Sequence, residues 1–205
     1  MSTLFTDKER ELLDGLVKAG MSLSAERMQK FSKSKWDILS SVVGQSSLEE
    51  TRSSLGRDPD KHFGVHIRSR LPMPLEILLI FPYWGVDALV QTVTKGLGGA
   101  LKSQSKVEEM VLAEIGNVLG QGLIASLADG LGVPLILTVP EVTCASQTSL
   151  FSGVLEKSPA DRDTILLSKV EMASGEICTS CSMLLLLDAG SIKPLLRDAV
   201  AKRER

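Results

Sequence analysis

Val107-Glu108-Glu109-Met110-Val111-Leu112-Ala113-Glu114-Ile115-Gly116-Asn117-Val118-Leu119-Gly120-Gln121-Gly122 is the stretch from which the rest of the chain can be read. It lies inside a longer helical pattern running from about Ser105 to Gly130. At about 100° per residue, Val111, Ile115, Val118, Leu119 and Gly122 fall on one apolar arc. Met110, Glu114, Asn117 and Gln121 form a narrow stripe on another side. The three-residue spacing sets the Glu114 carboxylate beside the Asn117 amide, with Cβ atoms about 5–6 Å apart. Gly116, Gly120 and Gly122 each cost roughly 1 kcal/mol relative to alanine inside a helix. Such costs predict another backbone very close to this helix, and they leave the Asn117 amide reachable by a partner. Asn117 is also the only asparagine in 205 residues, and a helix interior is a poor place for one on propensity alone. A solvated polar stripe is the usual account of an arbitrary Glu-x-x-Asn, so position by itself assigns no chemistry.

Working outward, Thr6 with Glu9 three residues later is a capping box opening a first helix. Leu12, Leu13, Leu16, Val17, Met21, Leu23, Met28 and Phe31 continue it, with a break expected at Gly20. A strand is expected at Trp36 to Val43, and the polar stretch Gly44 to Lys61 reads as a loop. Further strands follow at Gly64 to Leu71 and Leu75 to Phe81, then a helix at Asp87 to Gly96. Gly96-Leu97-Gly98-Gly99 punctuates the middle of the chain. Beyond the long helix the spacing predicts a strand at Val133 to Val139 and a Ser-rich loop over Thr143 to Asp163. Strands near Thr164 to Met172 and Ile177 to Leu187 precede a last helix at Ser191 to Lys202. The order of elements repeats at an offset near 97, with Trp36-Asp37-Ile38-Leu39 over Val133-Pro134-Leu135-Ile136.

Each half therefore reads helix, strand, strand, strand, helix. The expected fold is α/β (α+β), a pseudo-twofold repeat with a largely antiparallel central sheet and two long helices on its face. One domain is expected over residues 1–205, from halves at about 6–97 and 104–202, because a three-stranded unit with one helix buries little alone.

Composition narrows the class. At 43% hydrophobic and 23% charged, the chain is ordinary for a globular protein, and disorder is excluded as its main state. Lys plus Arg is 23 against 25 for Asp plus Glu, so no general basic surface is available to nucleic acid. Uninterrupted apolar runs such as Met183 to Leu187 are too short for a membrane span. Asp7, Lys8, Glu9 and Arg10 precede any apolar stretch, which is not a signal-peptide pattern. Three cysteines make no disulfide framework. The expectation is a cytoplasmic chain with reduced thiols.

Glu114-Ile115-Gly116-Asn117-Val118-Leu119, followed after residues 118 to 139 by Pro140, resembles the signature of the CheC/CheX/FliY family of chemotaxis phosphatases. That signature is Asp or Ser, three residues, Glu, two residues, Asn, a gap of about 22, and Pro. The resemblance extends over nearly the whole chain, including the Leu-rich strand Met183 to Leu187 ending in Asp188. Two departures stand out. The family's Asp or Ser is Met110 here. A second motif in the first half, which CheC-type members can carry, is missing: the repeat offset places Val17 and Gly20 where Glu and Asn would be. Ser22, Glu26 and Gln29 mimic the spacing with Gln in place of Asn, out of register with the following strand.

The resemblance implies a phosphatase acting on the aspartyl phosphate of a CheY-like response regulator. Such a reaction needs a water held in line with the leaving oxygen. The phosphoryl charge would be met by the partner's own Mg²⁺ and lysine, so no cofactor of this chain's own is implied. An amide suits the positioning role, since its carbonyl accepts from water and its NH₂ donates to phosphoryl oxygen. Asn117 would position the water and Glu114 would pair with the regulator's lysine. Met110 and Gln121 would contact the partner, and Gly116 and Pro140 would shape the site. The rival reading is a non-catalytic adaptor on the same fold, binding a regulator, a CheD-like deamidase or a flagellar switch component. The chain would be a monomer or a homodimer.

Weaker signals point to structure. Cys178-Thr179-Ser180-Cys181 has redox or zinc spacing, but three residues along a strand send the sulfurs to opposite faces. Both, with Cys144, read as buried structural cysteines. His62 and His66 lack the further ligands that zinc requires. Lys95 to Gly99 lacks the phosphate-loop G-K-[ST]. Lys202-Arg203-Glu204-Arg205 reads as a solvated tail. Tyr83 and Trp84, after Phe81-Pro82, are expected to close the sheet edge.

Overall fold

Thr6 opens the first helix as its side chain dictates. Its Oγ1 accepts the Glu9 backbone N–H at 3.3 Å, and the Glu9 carboxylate accepts the Thr6 N–H at 2.7 Å. Donors that a helix start leaves unpaired are thus satisfied reciprocally. The helix, α1 (Asp7–Ser32), runs without the break expected at Gly20. A Cβ at Gly20 would stand 2.8 Å from the Leu123 Cα, so the glycine admits a second helix rather than interrupting the first. The computed structural model describes residues 5–54, 60–69, 73–95, 104–157 and 165–204. The Gly96–Gly99 punctuation lies outside them.

The chain continues as β1 (Asp37–Ser46), α2 (Leu48–Ser54), β2 (His62–Ser69), β3 (Leu75–Pro82) and α3 (Tyr83–Thr94). The second half is α4 (Gln104–Leu131), β4 (Glu141–Ala145), α5 (Gln147–Lys157), β5 (Ile165–Ser174), β6 (Thr179–Asp188) and α6 (Ala189–Arg203). The strands form one sheet in the order β1-β5-β6-β3-β2-β4, with every neighbouring pair antiparallel. Exchanging β1, β2 and β3 for β4, β5 and β6 reverses that order onto itself, which is the pseudo-twofold arrangement the element order predicts.

Three expectations are corrected. The polar stretches Gly44 to Lys61 and Thr143 to Asp163 are not simply loops, for they hold α2, β4 and α5. Their serines act as helix caps. Ser47 Oγ accepts the Glu50 N–H at 3.2 Å and Ser146 Oγ accepts the Ser149 N–H at 3.3 Å, a role in which serine favours helix initiation rather than opposing it. Val133 to Val139 is not a strand. It makes one isolated bridge, Leu137 to Ser69, because Pro134 and Pro140 lack the N–H a ladder needs. Continuous pairing resumes only at Glu141. Tyr83 and Trp84 do not close a sheet edge. They form the first turn of α3, after an inner strand, with the Tyr83 ring stacked on Phe63 at 5.4 Å.

Strand alternation divides the core. Phe63, Val65 and Ile67 of β2 share one face with Ile77, Leu79 and Phe81 of β3 and Met183, Leu185 and Leu187 of β6, and α1, α3, α4 and α6 pack there. Leu78, Ile80, Leu184 and Leu186 point the other way, onto Leu150, Phe151 and Val154 of α5. Helix α4 is long and apolar enough to cross a membrane by length and composition. Here it lies between α1 and the sheet, with Leu112, Ile115, Leu119, Leu123 and Leu127 fully enclosed, each burial worth about 1.5–3 kcal/mol.

Candidate functional site

Helix α4 is held down by its glycines. A Cβ on Gly116 would come within 2.7 Å of Val65 Cγ1 and 3.5 Å of Pro140 Cβ, and one on Gly120 within 3.1 Å of the Leu137 side chain. Only Gly122 meets backbone, at 2.7 Å from the Ser24 nitrogen. The second backbone expected near all three glycines is therefore confined to one, and Gly116 and Gly120 rest on side chains instead. Gly116 and Pro140 nevertheless touch the same point, and so fix the segment before β4 against the helix beside Asn117.

That packing leaves a groove of about 550 Å³ lined by Asn117 and Gln121 of α4, residues 135–140 and Arg27 of α1. The Asn117 side chain is half-buried, and among the described residues it has no hydrogen-bond partner. A reachable, unengaged amide at a groove wall can hold a water on one side and an anionic oxygen on the other. Glu114 is exposed one turn earlier and Met110, 53% exposed, a further turn back. Both lie on the Asn117 stripe but outside the groove lining. Ile136 and Val139, at 77% and 83% exposure, form an apolar lip beside Asn117.

The first half supplies no equivalent pair. The α1/α4 seam is antiparallel. Gly20 lies against Leu123, and Ser24 Oγ donates to the Leu119 carbonyl at 2.7 Å. Val17 and Gly20, which the offset near 97 sets over Glu114 and Asn117, are both buried on α1 and carry no polar side chain. Ser22, Glu26 and Gln29 are exposed on α1, and none lines the groove.

The other signals resolve into structure. His66 Nε2 lies 2.6 Å from Glu76 Oε2 in the core, and His62 sits 3.0 Å from both the Asp60 carbonyl and the Gln147 amide. Among the described residues no group of three metal-ligating side chains is found. Cys178 is not buried within a strand. It is exposed on the β5–β6 turn at φ 55, and Cys144 is exposed on β4, whereas Cys181 is buried. Sequence reasoning missed Arg27 and the lip of Ile136 and Val139, whose proximity to Asn117 depends on the α1/α4 register and on a segment read as a strand.

This architecture, six antiparallel strands under two long antiparallel helices, is shared with known chemotaxis and flagellar proteins. CheC1 of Halobacterium salinarum, provisionally named as a CheY-P phosphatase, is 20% identical over 172 residues, covering 84% of this chain and 86% of that one. The Thermotoga maritima FliY structure superimposes with TM-score 0.69 at 14% identity, over 97% of this chain and 98% of that one. CheX from Desulfovibrio desulfuricans gives 0.55 at 11% identity over 84% and 99%, and Helicobacter pylori FliM, solved with FliG, gives 0.64 at 15% over 94% and 100%. No family model matches the chain. Its fold is that of the CheC-like proteins. In sequence the chain is similar to CheC1, and in fold to FliY, CheX and FliM.

Proposed function

We propose that this chain dephosphorylates the aspartyl phosphate of a CheY-like response regulator, with Asn117 holding the attacking water. The observation that carries this reading is the unengaged, half-buried Asn117 amide at the mouth of the groove, with exposed Glu114 one turn before it. The docked regulator would bring its phosphoryl group to the groove. The Asn117 carbonyl oxygen would accept one water hydrogen while its NH₂ donates to phosphoryl oxygen, setting the water in line. Glu114 would pair with the regulator's active-site lysine and fix the register. Mg²⁺ would come with the regulator, and its chemistry would be charge neutralisation on the phosphoryl group. Neither Glu114 nor Asn117 forms a covalent bond in this scheme. Acceleration of about 10²-fold requires about 2.7 kcal/mol, within reach of positioning alone.

The test is the decay of a phosphorylated CheY-type regulator from the same organism. Acceleration by the parent protein that Asn117→Ala removes, with binding retained, supports the reading. Tight binding with unchanged decay would instead make the chain an adaptor. Met110 in place of an acidic or hydroxyl side chain favours that second reading, as does the likeness to FliM, which is solved bound to FliG.

A further inference from the structure

We infer that Arg27, contributed by the opposite half of the chain, binds an anionic oxygen of the docked partner at the level of Asn117. This rests on the phosphatase reading and extends it to a residue outside the signature. The register of the two long helices carries the inference. Gly20 lies against Leu123, Ser24 against Leu119 and Gly122, and Ser126 Oγ donates to the Leu16 carbonyl at 2.8 Å. Following the antiparallel seam one turn past Ser24 brings α1 level with the turn of α4 that holds Asn117. Arg27 and Asn117 line the same groove. Packed helix axes stand about 8–10 Å apart, a gap that an extended arginine crosses.

The surroundings show what the guanidinium can do there. Among the described residues Arg27 is the sole charged side chain lining the groove, whose other polar walls are Asn117, Gln121 and Thr138. Arg27 is exposed, and among the described residues no carboxylate pairs with it. This separates it from Arg68, which is tied to Glu141 at 2.5 Å, and from Arg10, paired with Asp7. An unpaired planar cation beside two amides matches a carboxylate or phosphoryl group, either of which it can engage with two parallel N–H donors. The oxygen belongs either to the phosphoryl group or to a carboxylate on the regulator's surface.

The experiment compares binding of the unmodified regulator and its beryllofluoride-activated form to the parent, Arg27→Ala, Arg27→Lys and Lys30→Ala proteins. Arg27→Ala should weaken binding about 10- to 100-fold, the range for a hydrogen bond to a charged group. Arg27→Lys should recover only part of it, and Lys30→Ala, exposed on the same helix, should stay within about twofold. Loss confined to the activated form identifies the phosphoryl oxygen, and equal loss in both forms identifies a carboxylate. Binding of both forms within twofold by Arg27→Ala overturns the inference, as does failure of the parent to bind either form. Retained turnover by Asn117→Ala would sink the water-positioning role while leaving the Arg27 binding result to be judged by itself.

Discussion

Gly122 of α4 lies so close over Ser24 of α1 that a Cβ there would stand 2.7 Å from the Ser24 nitrogen and 2.8 Å from its Cα. Backbone cannot rotate aside as a side chain can, so Gly122→Ala must part the two helices. Helix propensity favours the substitution by about 1 kcal/mol, but overpacking of this kind costs about 1–3 kcal/mol. Net loss is expected, of the order of several degrees in Tm, with Arg27 moved away from Asn117. Gly15, also within α1, has nothing within 4 Å. Gly15→Ala should raise stability by about 0.5–1 kcal/mol. Thermal unfolding of both variants decides the matter, and equal effects would refute the close approach.

The apolar lip makes a separate prediction. Ile136 and Val139 are among the most exposed large apolar side chains described, so burial in the folded chain does not account for them. A partner docking over Asn117 would cover them. Ile136→Asp with Val139→Asp should leave Tm within about 2–4 °C, because two surface changes of this kind each stay near ±0.5 kcal/mol. Affinity for the regulator should fall at least about tenfold, as for an apolar contact near the centre of an interface. Unchanged affinity in a titration would place the docking surface elsewhere.

The stripe of Met110, Glu114, Asn117 and Gln121 was legible because it depends only on helix period, and Gln104–Leu131 keeps that period throughout. The inner strands were legible from apolar runs such as Leu75–Pro82. Helices α2 and α5 were not, since Ser47 and Ser146 read as loop formers until their hydroxyls are seen on backbone N–H groups. Arg27 was invisible for another reason. It meets the Asn117 groove only through the seam between α1 and α4, and a contact between distant segments leaves no periodic trace in either.

Cysteine chemistry should follow burial. Cys181 is enclosed, and desolvation, with a smaller contribution from the Glu171 charge, holds its thiol far above the ordinary value of 9.0. Cys144 and Cys178 are exposed. An aromatic disulfide reagent at pH 8 should therefore titrate Cys144 and Cys178 in the native protein, and Cys181 only after unfolding. Raising the folded pKa favours the native state fully below about pH 9, and that advantage is lost as pH rises further, by roughly 1.4 kcal/mol per unit. Cys181→Ala should remove this component of the alkaline slope. A third thiol reacting in the native protein at the rate of the others would contradict the burial.

Glu108 on α4 faces Asp87 on α3. Partial burial first, then the Asp87 carboxylate, raise its pKa above 4.5, with Glu109 adding a smaller like-charge effect. Its protonated form is thus favoured in the folded state. The resulting stability is complete below the unfolded value and is lost as pH rises through the folded one. At pH 7 the charged Glu108 works against the fold, and Glu108→Gln, which keeps the shape and can still donate to Asp87, should raise Tm. The gain should shrink as the buffer is taken down towards pH 4, where both proteins present a neutral side chain. An increment independent of pH would show that packing rather than charge separates the two, and a fall in Tm at pH 7 would mean that the Glu108 carboxylate accepts a bond the glutamine cannot replace.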